Sequence, residues 1–72
     1  MTFDVDNQQV AAVIQSLLAK RGLQHCVTCF ITDAEAVLEG RTHSYSLKQF
    51  AQESARTTVG GRRIHNRILV QS

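Results

Sequence analysis

The chain predicts an α+β fold: a two-layer α-β-β-α-β sandwich in which a three-stranded mixed sheet carries both helices on one face. Three observations support that prediction. Apolar residues recur at helical spacing in two segments, they alternate at strand spacing in three, and a Gly60-Gly61 pair separates the second helix from the last strand. At 72 residues there is one domain, and a domain of this size buries only roughly 60% of the surface its unfolded form exposes. Its stability margin is therefore narrow, and a homo-oligomer is an expected way of widening it.

The first helical segment is written by Val10, Val13, Ile14, Leu17 and Leu18, which predicts a helix over residues 7–21. Asp6 stands where a cap would accept the free amides and Gln9 follows three positions on. Val5 and Val10 hold the positions of a hydrophobic staple. Lys20, Arg21 and Gly22 supply the stop: cations at the negative end of the dipole, then a residue that accepts a left-handed backbone. Residues 1–5 are left as a tail and residues 6–72 as the domain.

Residues 24–32 are rich in β-branched and aromatic types, with Val27, Cys29 and Ile31 alternating against Cys26, Thr28, Phe30 and Thr32. After the polar break Asp33-Ala34-Glu35, alternation resumes with Ala36, Leu38, Gly40 and Thr42 against Val37, Glu39, Arg41 and His43. The pair reads as a hairpin. Gly40 is expected to let a helix approach the sheet. The second helix comes from Leu47, Phe50, Ala51, Ser54, Ala55 and Val59. Ser46 with Gln49 is its capping box, Tyr45 with Phe50 its staple, and Ser44 a competing cap. Beyond Gly60 and Gly61, residues 62–71 predict a strand with Ile64, Asn66, Ile68 and Val70 on one side.

Strand-helix-strand crossovers favour a parallel pairing of the last two strands, so both helices cover one face and the other stays open. That open face would show Cys26, Thr28, Phe30, Val37, Glu39, Arg41, His43, Arg63, His65, Arg67 and Leu69. Among these, Phe30, Arg41, Arg63, Arg67 and Leu69, together with Arg62, are the candidate binding residues.

The order Leu38-x-Gly40, helix, Gly60-Gly61 and Ile64-x-Asn66-x-Ile68-x-Val70 resembles the BON domain, a small module of bacterial envelope proteins. The resemblance spans about the last two thirds of the chain, and the first helix fits the remainder. Leu38, Gly40, Gly60, Gly61 and Asn66 are its structural positions. Ala34 departs from it where a turn glycine is common, and Arg62 where an apolar residue is frequent. The resemblance implies a non-enzymatic module that associates with phospholipid surfaces. Pairing of the open face with a second copy or another protein is the alternative, and its bases are then an ordinary solvated rim.

Composition narrows the classes. With 43% apolar and 19% charged residues the chain is an ordinary globular domain, and no stretch approaches the about 20 apolar residues that cross a bilayer. Acids at Asp4 and Asp6 stand where a secretory leader carries bases, so the sequence as given is expected to be cytoplasmic. A net charge of +2 permits an anionic partner without demanding one. A KH-like nucleic-acid module ranks below both, since its Gly-x-x-Gly loop is missing and Phe30 is the one well-placed stacking aromatic.

Cys26-x-x-Cys29 has the spacing of redox and zinc sites, with His25, His43 and His65 as further candidate ligands. A strand sends residues three apart to opposite faces, about 10 Å from each other, beyond the roughly 7 Å that a disulfide spans. Cys29 is therefore expected inside and Cys26 outside, and no metal or other cofactor is expected. No serine has a His and Asp partner set and no phosphate loop occurs, so no catalytic residue is assigned.

Overall fold

The structure, a computed structural model, describes the backbone of residues 3–71 and the side chains of residues 6–71. Five elements follow the predicted order: α1 (Phe3–Ala19), β1 (Val27–Ile31), β2 (Glu35–Thr42), α2 (Tyr45–Arg56) and β3 (Arg63–Val70). The sheet order is β1-β2-β3. β1 pairs antiparallel with β2, β3 parallel.

α1 begins at Phe3, ahead of the predicted start, so Asp6 lies inside the helix instead of capping it. No proline or glycine occurs before Gly22 to stop the helix from extending upstream. The proposed staple involves Val5, whose side chain lies outside the described residues. At the other end, Leu23 N–H donates to Leu18 O at 3.0 Å and Gly22 N–H to Ala19 O at 3.1 Å. With Gly22 at φ +73°, this is a Schellman motif, and buried Leu23 closes it by packing with Leu18.

β1 is shorter than predicted because the amides of Cys26 and Val27 both bond back to Leu23 O at 3.0 Å, which holds the preceding residues in a turn. At the hairpin, Thr32 Oγ1 accepts from the amides of Ala34 (3.3 Å) and Glu35 (3.0 Å). A threonine side chain thus organises a turn that lacks glycine. At α2 the competing cap wins: Ser44, in extended conformation, accepts from Leu47 N–H at 3.2 Å. Ser46 is consequently inside the helix, and Tyr45 is exposed instead of stapling Phe50. α2 stops at Arg56, short of Val59, whose amide still bonds to Ala55 O at 2.9 Å. Gly60, at φ +65°, then reverses the chain into β3.

The core comprises Ile14 and Leu18 of α1, Ala51 and Ala55 of α2, Val27, Ala36, Leu38 and Ile68 of the sheet, and Leu23 and Val59. Within each strand the buried apolar residues fall at one parity, and register puts Val27 level with Gly40 and Ile68 on the side of Ala36 and Leu38, so both helices cover one face. Val70, predicted on that side, is 41% exposed, although Thr42 level with it on β2 is buried. Gly40 has a different role from the one expected. It lies at φ +145°, and an added Cβ would fall on the carbonyl of Cys26, so the glycine admits the neighbouring strand and not a helix.

Candidate functional site

The open face of the sheet is the candidate site. Register arranges it in rows: Phe30 of β1 beside Val37 and His65, Thr28 beside Glu39 and Arg67, with Glu35 level with Arg63 and Arg41 level with Leu69. Phe30 is 53% exposed and Leu69 57%, at the two outer strands. Val37, half-buried between Phe30 and His65, forms the apolar floor.

The charges of this face do not form one basic field. Arg67 Nη1 reaches Glu39 Oε2 at 3.8 Å. His65 Nε2 lies 3.3 Å from Glu35 Oε2, but the alignment makes no hydrogen bond and leaves that nitrogen unpartnered. Glu35 and Glu39 of β2 thus interleave with the bases of β3. Arg41 and Arg63 have no carboxylate partner among the described residues, and they stand at opposite ends of the face. Six residues of strand separate their rows, about 20 Å.

Arg62 is set apart from the other five candidates. Its Nε donates to Thr32 O at 2.7 Å, Nη1 to Val59 O at 2.9 Å and Nη2 to Asn7 Oδ1 at 2.8 Å. Asn7 Nδ2 in turn donates to Asp33 Oδ1 at 3.0 Å. This guanidinium clamps α1, the hairpin turn and the α2–β3 loop together. Period-two counting contains the clue, because Arg62 has the parity of Ile64 on the helix side. The same counting assigns Glu35 to the open face with Val37 and Glu39, although its neighbourhood reads as a turn.

Asn66 behaves as a structural tie. Its Nδ2 donates to Lys48 O (3.3 Å) and to Gln52 Oε1 (3.1 Å) on α2, and its Oδ1 accepts from Ile68 N–H at 3.1 Å. One side chain therefore anchors β3 to the helix above it and covers part of the strand's free edge.

The cysteines are free, Cys26 exposed and Cys29 half-buried. Desolvation pushes the Cys29 thiol above its ordinary value, partly offset by a hydrogen bond from Gln15. A groove of about 440 Å³ gathers His25, Cys26, Arg41 and His43 where β1 and β2 begin and end. Among the described residues no three His, Cys, Asp or Glu side chains converge closely enough to hold a metal ion. No helix there is long and apolar enough to cross a membrane.

Comparison with known proteins places the fold but no family. No protein-family model matches the chain. No curated protein matches it either. Among solved structures it is similar to the C-terminal domain of CdsD, the structural protein of the type III secretion system of Chlamydia trachomatis, with a TM-score of 0.74 and 20% identity. The match covers 92% of this chain and 34% of that one, so this chain spans about a third of its neighbour's length. At that identity the likeness is one of fold.

Proposed function

We propose that the chain is a non-catalytic, BON-like association module that docks through its open sheet face onto another protein. The interleaving of Glu35 and Glu39 with Arg63, His65 and Arg67 between exposed Phe30 and Leu69 carries this reading. An anionic lipid surface attracts bases and repels acids. Here three arginines (41, 63 and 67) against two glutamates leave the face at +1 with His65 neutral. Each base near such a surface contributes about 1 kcal/mol, and only Arg41 and Arg63 are free to do so. A mixed-charge face with apolar patches instead suits the polar rim and apolar centre of a protein interface. The likeness to a domain of a secretion-system structural protein supports the same reading.

Sedimentation with vesicles of phosphatidylcholine, alone or mixed with phosphatidylglycerol, tests it at low salt. The chain is expected to stay in the supernatant with both, while the double variant Glu35→Gln/Glu39→Gln gains salt-sensitive binding to the anionic vesicles. Pelleting of the unaltered chain with anionic vesicles overturns the protein reading in favour of phospholipid, held by Arg41, Arg63, Phe30 and Leu69.

A further inference from the structure

We infer that β1 is a docking edge for a second copy of this chain, paired antiparallel about a two-fold axis at Phe30 into one six-stranded sheet. The inference goes beyond the open-face reading, since it concerns the sheet edge and the vesicle result does not decide it.

Both edges of a three-stranded sheet present unpaired backbone groups, and proteins ordinarily guard such edges with charge or with covering side chains. β3 is guarded by Arg63, His65, Arg67 and the amide of Asn66. β1, with the sequence Val-Thr-Cys-Phe-Ile, contains no charged residue, proline or glycine. Helix α1 borders its edge with Ala11, whose carbonyl accepts from Cys29 Sγ at 3.7 Å, and with Gln15.

The hydrogen bonds already made select the register. Arg41 N–H to Cys26 O (3.2 Å) and Thr32 N–H to Glu35 O (2.8 Å) show that the even-numbered residues of this strand face β2. Val27, Cys29 and Ile31 therefore point their backbone groups outward. Val27 is occupied on both sides: its amide bonds to Leu23 O at 3.0 Å, and its carbonyl accepts from Gln15 Nε2 at 3.4 Å. Cys29 and Ile31 remain. A dyad at residue 29 or 31 matches only one residue of this pair with itself, whereas a dyad at residue 30 sets Cys29 opposite the second copy's Ile31 and the reverse. The two reciprocal pairs exchange four hydrogen bonds.

That register places Phe30 opposite the second copy's Phe30 as a non-hydrogen-bonded pair, with Cα atoms about 4.5 Å apart, the closest cross-strand arrangement. Each half-exposed ring gains an aromatic neighbour on the open face, which doubles in width. The arrangement is isologous and closes at two copies, because the other edge of each sheet is guarded.

Sedimentation equilibrium from micromolar to millimolar concentration should move the mass from monomer to dimer. Phe30→Lys places like charges across the dyad and should weaken the dimer about tenfold or more, with an unchanged circular dichroism spectrum because Phe30 is already exposed. Amide exchange provides a readout on the unaltered chain: the N–H groups of Cys29 and Ile31 should exchange more slowly as concentration rises. A monomer at every concentration overturns the inference. A dimer that leaves those two amides unprotected, or that Phe30→Lys does not weaken, does so as well.

Discussion

β1 and β3 flank the same central strand, yet the chain protects them in different ways. β3 is eight residues long, charged on its open side and tied to α2 through Asn66. β1 is five residues long and uncharged, and from its centre to its end the outward backbone groups of Cys29 and Ile31 have no hydrogen-bond partner of the kind that Val27 has among the described residues. Length and charge set β3 up as a finished boundary, while β1 keeps an unguarded stretch. If β1 is the docking edge for a second copy, one well-placed amide and three bases on β3 suffice to direct association to the other side of the sheet.

The largest effect should come from breaking the seam that holds β1 in place. Gly40→Ala forces a side chain into the Cys26 carbonyl at a positive φ, which should cost on the order of 3 kcal/mol or more in urea unfolding. Gly60→Ala, also at positive φ but with open space around it, should cost about 1 kcal/mol. Equal losses at the two glycines would show that strain, and not the close approach of β1, governs Gly40.

Removing the guard from β3 comes next. Asn66→Ala leaves the Ile68 amide without its acceptor and should cost about 1–2 kcal/mol by the same measurement. Light scattering should show it associating at lower concentration than the unaltered chain, through the newly exposed edge. Arg62→Ala should lose a similar amount by releasing three hydrogen bonds, whereas its neighbour Arg63→Ala should change stability by less than about 0.5 kcal/mol. Similar losses at 62 and 63 would remove the distinction between clamp and open-face arginine.

The smallest effect concerns the thiols that bracket the first half of β1. Cys26 should react with an aromatic disulfide reagent at mildly alkaline pH well before Cys29, whose thiol is held above its ordinary 9.0 by burial. The sign for stability follows. Below that ordinary value both folded and unfolded forms keep the proton, and as pH rises past it the unfolded chain ionises first. Stability present at neutral pH is therefore lost on the alkaline side, and Cys29→Ala should reduce that loss in unfolding curves taken across the range.

The order of elements was legible because apolar spacing differs so sharply between helix and strand, and because Gly22 and Gly60 mark reversals that only a left-handed backbone completes. Asn66 stands out in the sequence as the polar member of the set Ile64, Asn66, Ile68 and Val70. Caps and ends were harder. Ser44 and Ser46 offer the same hydroxyl two positions apart, and only the extended backbone at Ser44 selects between them. Arg62 and Arg63 look alike as the first residues of a basic strand, and they separate once the loop carrying Arg62 is packed against Asn7 and Thr32.

By itself, the sequence determined the α-β-β-α-β order and the side of the sheet on which most residues lie. Those properties follow from local periodicity, which each segment carries within its own few turns or alternations. The tertiary structure alone decided that Glu39 reaches Arg67, that Glu35 approaches His65, and that Gly40 makes room for Cys26. Each of these contacts joins residues 14 to 30 positions apart in the chain, and their proximity depends on strand register, which is set only when the helices close over the shared core.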